Sequence, residues 1–150
     1  MNDCASVKKD LKTLLLSQNL AVLATHDHGQ PCTHLMAFAV TQDLTEILMV
    51  TNRATRKFQN ISSDPRVSIM VDNREKALTD FSQAVTASAS GRATETRPGE
   101  STGLLQLYLD KHPHLESFIL APTTALLSIR VTKYDLVRRF QNVHELWMDP

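Results

Sequence analysis

The residues best suited to chemistry lie where an apolar run gives way to a basic segment. The run ends at Thr51, and residues 52–57 then read Asn-Arg-Ala-Thr-Arg-Lys. If a strand ends and a helix begins here, unpaired backbone N–H groups, two hydroxyls and up to three cations come together. That combination favours phosphate, because the N–H groups point outward and arginine offers a planar fork to phosphate oxygens. The alternative is a solvated basic helix start.

Other clusters of chemistry-bearing residues are weaker. His26 and His28 share a predicted loop, and His112 and His114 flank Pro113. A metal site needs three or four convergent ligands, so we expect solvated loop histidines and no metal. Cys32 has no predicted helix start beside it that would lower its pKa, so we expect a small, half-buried thiol and no nucleophile. The four glycines form no nucleotide-binding glycine motif.

Composition limits the classes of function. The chain has 150 residues, and 16 Lys and Arg balance 16 Asp and Glu. This length predicts a single domain over 1–150, and zero net charge argues against a general nucleic-acid or anionic-membrane surface. No apolar run is long enough to cross a membrane, and the first residues lack the pattern of a secretion signal. With only two cysteines, we expect a cytoplasmic protein with free thiols.

Hydrophobic spacing predicts the elements that hold the basic segment. A helix is predicted over 6–18 with Ser6 as its N-cap, because apolar residues recur on one face. Strands over 20–25 and 33–40 are expected to form a hairpin around a six-residue loop, 26–31. A third strand covers 46–51. Residues 52–63 favour a helix that begins with Asn52 or Thr55 as its N-cap and ends before Asp64-Pro65.

The second half of the chain continues with strands and short helices. The predictions are a strand over 67–71, a polar loop over 73–82, a long strand over 83–96, helices over 100–112 and from Pro113, and strands over 126–131 and 136–140. Gly91 predicts a bulge or a close backbone approach inside the long strand. Strands joined by short turns predict a mainly antiparallel sheet, curled or closed, with peripheral helices.

Several of these segments together resemble one known family. The segments are Gln30-Pro31, the strand 33–40, the strand end Thr51-Asn52, the triplet Thr55-Arg56-Lys57, and the run Asp64-Pro65-Arg66-Val67-Ser68. Their order and types resemble the pyridoxamine 5′-phosphate oxidase-related, FMN-binding split-barrel family. The similarity runs from about 20 to 72 and is looser around Gly91.

The resemblance implies a fold, a cofactor and an assembly. The fold is mainly β with peripheral helices, a six-stranded antiparallel split β-barrel, and the assembly is a homodimer with FMN at the subunit interface. The resemblance assigns the FMN phosphate to Arg56 and Lys57 with help from Thr55. It also implies that the isoalloxazine ring lies along His34, Leu35, Met36 and Ala37. Thr51 and Asn52 are then expected at the strand end that faces the cofactor.

The sequence departs from the family pattern at the substrate end. His34 stands where fuller oxidases carry arginine, and Thr86 stands where a flavin-contacting glutamine often occurs. No counterpart of the oxidase's C-terminal Arg and His motif is found. The resemblance therefore implies an FMN-dependent oxidoreductase with an unidentified substrate or redox partner, and not a pyridoxamine phosphate oxidase. The alternative is a non-catalytic binding module that holds FMN, haem or a deazaflavin.

The C-terminal residues Trp147 and Met148 allow two interpretations. They form a loose tail, or they cross to a partner subunit and cover the flavin. The sequence does not choose between them, and it offers no convincing general acid or base.

Overall fold

The computed structural model describes residues 3–97, 102–139 and 141–150. In chain order the elements are α1 (Asp3–Ser17), β1 (Leu20–Asp27), β2 (Gln30–Ala37), β3 (Ala39–Val40), β4 (Glu46–Asn52), α2 (Arg56–Ser63), β5 (Arg66–Asp72), β6 (Val85–Glu95), α3 (Thr102–Lys111), α4 (Glu116–Ile119), β7 (Thr124–Arg138) and β8 (Asn142–Trp147). Short 3₁₀ turns lie at Arg74–Lys76, Phe81–Gln83 and Pro113–Leu115.

All the strands belong to one antiparallel sheet that curls into a barrel. The strand order is β2-β1-β5-β6-β7-β4-β3, and β8 pairs with β7. β2 and β3 lie at opposite ends of this order, yet only Phe38 separates them along the chain. The sheet must therefore bend until its two ends meet at Phe38. With β2 and β3 counted as one bent strand, six strands form the barrel, and the predicted split-barrel fold is confirmed.

The inside of the barrel is the main hydrophobic core. Alternate residues of each strand point inward, and Leu23, Met49 and Ile69 are fully or almost fully buried there. The apolar stripe that predicted α1 also faces this core, through Val7, Leu11, Leu14 and Leu15. The helix forms because one of its faces can be buried against the barrel.

A second hydrophobic cluster covers part of the outer face. Ala39, Leu48 and Val50 pack there against Tyr108 of α3 and Ile119 of α4. β4 is consequently buried on both faces, which explains why it reads as a continuous apolar run rather than an alternating one.

The joint at Phe38 is held by the end of α3. The Lys111 Nζ lies 4.0 Å from the centroid of the Phe38 ring and donates to the carbonyl of Gln18 at 2.6 Å. Burial lowers the pKa of Lys111 to about 8. The expectation of a solvated histidine is wrong for His112, whose ring is buried and makes a 2.8 Å hydrogen bond from Nε2 to the Phe38 carbonyl. α3 therefore fixes the point where the barrel closes.

The first hairpin is tighter than predicted. The six-residue loop over 26–31 is wrong, because pairing continues to Asp27 and Gln30 and leaves only His28 and Gly29 in the turn. Both turn residues have positive φ, 48° and 89°, which matches the twist of a two-residue hairpin. Pro31 is tolerated because β2 is an edge strand.

The helix boundaries differ from the predictions near polar residues. α1 begins at Asp3, so Ser6 lies inside the helix and is not its N-cap. α2 begins at Arg56, and residues 53–55 form the turn after β4, because Thr55 and not Asn52 provides the cap. The predicted start of the third helix, α3, at residue 100 falls outside the described residues, and the polar loop over 73–82 contains two 3₁₀ turns.

The predicted C-terminal strands also need correction. A single long strand, β7, replaces the separate strands 126–131 and 136–140, because β6 pairs along its whole length from Glu95 to Val85. The residues after the break form β8, so Trp147 ends a strand and Met148 packs on the core. The predicted feature at Gly91 is confirmed: the register shifts there, and a Cβ would collide with the Arg130 carbonyl oxygen.

Among the described residues, no helix is both long and apolar enough to cross a membrane.

Candidate functional site

The junction between β4 and α2 gathers the polar groups that the sequence singled out. Thr51 is the last inward-facing residue of β4, and Thr55 caps the first turn of α2. Asn52 shapes the turn between them, because its Oδ1 accepts the backbone N–H of Ala54 at 2.8 Å. The Asn52 side-chain amide also donates to the Thr123 hydroxyl at 3.3 Å. These contacts bring Thr51, Asn52 and Thr55 together.

The Thr55 hydroxyl organises the turn. Its oxygen lies 3.0 Å from the Thr51 hydroxyl oxygen and accepts the backbone N–H of Phe58 at 3.4 Å. It donates its proton to the Asn52 carbonyl at 2.9 Å. The hydroxyl therefore supports the helix start, and a contact from it to a bound phosphate stays a prediction.

Two of the three cations at this junction are available to a ligand. Arg53 donates to Glu95 through Nε at 2.9 Å and to the Pro122 carbonyl at 2.8 Å, so it ties the turn to β6 and to the residues before β7. Within the described residues, the side chains of Arg56 and Lys57 make no hydrogen bond or ion pair. Their backbone N–H groups also have no acceptor there. The free groups of Arg56 and Lys57 suit an anion.

The predicted ring-binding strand presents its residues to two sides of the sheet. His34 and Met36 point to the inner face, since they pair with inward-facing Leu23 and Ala21. Met36 is buried in the core. Leu35 points outward and is 68% exposed, and Ala37 packs against the outer cluster. Of these four residues, His34 is the one whose side chain lies on the inner face without being fully buried.

His34 is the end of a chain of hydrogen bonds. The Asn60 side-chain amide of α2 donates to the Thr25 hydroxyl at 3.0 Å, and the Thr25 oxygen lies 3.0 Å from His34 Nε2. Thr25 and Asn60 are almost fully buried. Burial and the positive charge of Lys57 lower the pKa of His34. Two residues of α2 therefore act on His34: Lys57 through its charge, and Asn60 through its hydrogen bond to Thr25.

Sequence reasoning missed Thr25 and Asn60. Thr25 reads as an ordinary strand residue, and Asn60 reads as a polar position on a helix surface. A usable signal did exist, since Asn60 lies on the same helical face as Lys57 one turn earlier. Only the packing of α2 on β1 reveals that this face points at the hairpin.

A second polar cluster lies at the tip of the first hairpin. His26 Nε2 is 2.9 Å from Asp64 Oδ2, and Arg66 donates to both oxygens of the same carboxylate, through Nε to Oδ1 and through a terminal nitrogen to Oδ2. The Arg66 guanidinium, above all, holds the pKa of Asp64 well below its usual range. Among the described residues, no three His, Cys, Asp or Glu side chains converge as a metal site.

The basic residues near the C-terminus lie far from the junction along the sheet. Arg138 ends β7, whereas Thr124 at the other end of that strand pairs with Asn52. The Arg138 guanidinium donates to Asp10 at 2.7 Å and lies 3.1 Å from His144 Nε2. These contacts line a polar cavity of about 600 Å³ between α1 and β8. Within one chain, Arg138 and His144 are not part of the β4–α2 site.

Comparison with solved structures supports the split-barrel fold. The heme binding protein from Mycobacterium smegmatis matches with a TM-score of 0.81 and 18% identity, over 91% of this chain and 55% of that one. General Stress Protein 26 from Bacillus anthracis matches with a TM-score of 0.75 and 16% identity, over 99% and 100% of the two chains. A FAD-binding protein from Mesorhizobium loti matches with a TM-score of 0.68 and 15% identity, over 86% and 90%.

These likenesses show the fold alone, because the identities are low. The chain spans about half the length of the mycobacterial protein. No curated protein sequence gives a significant match. The model of the family described as pyridoxamine 5′-phosphate oxidase matches residues 7–138. The chain therefore belongs to the pyridoxamine 5′-phosphate oxidase family.

Proposed function

We propose that this chain is a small flavoprotein that binds FMN through the β4–α2 junction. The observation that carries the proposal is the pair Arg56 and Lys57, whose side chains and backbone N–H groups have no partner within the described residues. A phosphate dianion would supply the missing acceptors for both kinds of group. The donor set therefore fits the phosphate end of FMN.

The wall for the flavin ring is expected along β2. The outer edge of this strand, from His34 to Ala37, pairs with no other described strand and offers backbone N–H and carbonyl groups to the polar rim of a ring. His34 adds a side-chain nitrogen beside Lys57. When bound, FMN supplies electron-transfer chemistry, and the protein supplies orientation and electrostatics.

The proposed assembly is a homodimer with FMN at the interface. Leu20, Val22, Leu35 and Met70 lie on the outer face of β1, β2 and β5, as the pairings of Val22 with Leu35 and with Met70 require. Leu20 and Leu35 are 53% and 68% exposed. A second copy would bury these side chains and complete the ring site beside β2. Residues 1–150 would then act as one FMN-binding domain in each subunit.

The proposed activity is that of an oxidoreductase whose substrate or redox partner is unidentified. Its support is the chain's family and a donor set suited to a flavin phosphate. The second candidate is a binding module that holds FMN, haem or a deazaflavin without turnover. Its support is the fold shared with the heme binding protein from Mycobacterium smegmatis.

The absorption spectrum and mass of the bound cofactor test the proposal. We expect the purified protein, or the protein reconstituted with FMN, to show an oxidised flavin spectrum and to release FMN on denaturation. We also expect riboflavin, which lacks the phosphate, to bind at least tenfold more weakly. Equal affinity for riboflavin and FMN would contradict the phosphate site. A Soret band from tightly bound haem would favour the binding module.

A further inference from the structure

With the Asn60 amide nitrogen directed at Thr25, the hydrogen bonds around His34 have one consistent direction. The Asn60 amide donates to Thr25 Oγ1 at 3.0 Å, and Thr25 Oγ1 lies 3.0 Å from His34 Nε2. Within the described residues, His34 Nε2 is the acceptor in reach of the Thr25 hydroxyl proton. A buried hydroxyl without an acceptor is costly, so Thr25 donates and His34 Nε2 accepts.

The direction of these bonds assigns the tautomer of His34. Because Nε2 accepts a proton from Thr25, the single proton of the neutral ring sits on Nδ1. Nδ1 has no partner among the described residues, so its N–H points away from the chain of hydrogen bonds. The Nδ1–H group can therefore donate to a ligand, while the buried side chains of Thr25 and Asn60 hold the Nε2 side of the ring in place.

Resting on the proposed FMN function, we propose that Thr25 and Asn60 are positioning residues that hold His34 as a hydrogen-bond donor to the bound anionic cofactor, and that protonation of His34 couples cofactor affinity to pH. Protonation would turn Nε2 into a donor and leave the Thr25 hydroxyl without its acceptor. The neutral ring is thus favoured in the free protein, and a nearby anion reverses that preference.

The charged surroundings of His34 give the sign of the coupling. Lys57 precedes Asn60 by one turn on the same face of α2, and Asn60 is joined to His34 through Thr25, so the Lys57 ammonium is the charged group that acts on the ring. Cys32, on the same face of β2, is the titratable neighbour within its own strand. Thr25 on β1 and Asn60 on α2 carry no charge. A dianion bound at Lys57 cancels the repulsion that opposes protonation. FMN should therefore raise the pKa of His34, and by linkage FMN should bind more tightly to the protonated form.

The imidazole nitrogens of the cofactor-free protein test the tautomer directly. In ¹⁵N-labelled protein at neutral pH, we expect a protonated Nδ1 and an unprotonated Nε2 for His34. Thr25→Val should raise the pKa of His34 and mix the tautomers, and Thr25→Ser should restore both. An Nε2-protonated ring in the wild-type protein would overturn the proposal even if Thr25→Val does not fold.

Binding of FMN tests the coupling. FMN dissociation constants at pH 5.5 and 7.5 should be compared in the wild type, in His34→Gln and in His34→Arg. The FMN phosphate titrates equally in all three experiments, so its effect cancels in the ratio of wild type to His34→Gln. We expect the affinity of the wild type divided by that of His34→Gln to be roughly fivefold or more higher at pH 5.5 than at pH 7.5. His34→Arg, a permanent cation, should bind tightly at both pH values.

The outcomes separate this proposal from the FMN function on which it rests. If FMN binds but the wild type and His34→Gln show the same pH dependence, the coupling is wrong and the FMN site stands. If FMN does not bind the wild type at either pH, the FMN function itself is wrong, and the donor role of His34 fails with it. A fivefold gain at acid pH together with the Nδ1–H tautomer supports the proposal.

Discussion

The hydroxyl oxygens of Thr51 and Thr55 lie 3.0 Å apart and join the end of β4 to the N-cap of α2. Because Thr55 also accepts the N–H of Phe58, the first turn of α2 starts at a fixed place after β4. Arg56 and Lys57 are therefore presented by a short, rigid turn rather than by a flexible loop. This geometry explains how a local sequence motif becomes a candidate site.

Removal of either available cation should weaken FMN binding. Arg56→Ala and Lys57→Ala should each cost about 1.5–3 kcal/mol, roughly ten- to a hundredfold in the dissociation constant, because each removes a charge-assisted contact. Lys9→Ala, which removes an exposed cation from α1, is the matched control and should change affinity little. Fluorescence titration measures all three. Unchanged affinity in both site variants would argue against a phosphate at this junction.

A charge on the outer apolar face should disrupt the proposed dimer. Leu35→Lys places an ammonium among Leu20, Val22 and Met70, where a second copy is expected to pack, so we expect a monomer with weaker FMN binding. Val143→Lys on β8 is a control, since Val143 is 61% exposed on a different strand. Light scattering at micromolar concentration distinguishes the two. A wild-type protein that is monomeric with FMN bound would contradict the dimer.

Gly91→Ala should destabilise the fold. The new Cβ would collide with the carbonyl of Arg130 on the neighbouring strand, and such overpacking costs typically about 1–3 kcal/mol. Gly103→Ala is the opposite case, because nothing lies within 4 Å of the added Cβ. Within α3 that exchange should stabilise the protein by about 0.5–1 kcal/mol. Urea unfolding measures both, and equal effects would rule out the close approach at Gly91.

Stability should fall as the pH is lowered below about 6.5. Burial, above all, lowers the pKa of His112, and burial followed by Lys57 lowers that of His34. In this window the unfolded chain binds protons that the folded chain does not, so the free energy of unfolding decreases with falling pH. Each histidine can lower the free energy of unfolding by at most about 1.4 kcal/mol per pH unit.

The histidine contribution can be isolated by substitution. His112→Gln keeps a donor for the Phe38 carbonyl but cannot titrate, so the loss of stability between pH 7.5 and 5.5 should be smaller than in the wild type. Urea unfolding at both pH values provides the measurement. The ionised carboxylates with lowered pKa values, such as Asp72 and Asp80, contribute only at lower pH. Identical pH slopes for variant and wild type would exclude a role for His112.

Pyridoxamine phosphate should be a poor substrate. It carries its own phosphate and would need a second anion site beside the flavin ring. The C-terminal candidate Arg138 instead donates to Asp10 and Ser6 of α1, at the far end of β7 from Asn52. Peroxide release in steady state provides the assay. A kcat/KM near or above about 10⁴ M⁻¹s⁻¹ would restore the oxidase assignment.

The strand pattern was predictable because it depends on local spacing. Alternation in β5 and the apolar run of β4 follow directly from which faces are buried, and the triplet around Arg56 was recognisable as a helix start. The hairpin turn was not predictable from composition, since polar residues 26 and 27 remain paired with 30 and 31. Pairing partners, and not side-chain polarity, decide where a strand ends.

Residue types and their spacing predicted a curled antiparallel sheet and the positions of the cations in the candidate site, and the resemblance to a known family implied the split barrel. Which of these cations are available to a ligand depends on contacts that only the folded chain makes. Arg53 and Arg56 read alike in the sequence, yet Arg53 is paired with Glu95, 42 residues away, and Arg56 is not paired within the described residues. The same reason applies to Thr25 and Asn60, which meet His34 only because α2 packs on β1. Contacts between distant segments depend on the closure of the barrel, which no local pattern encodes.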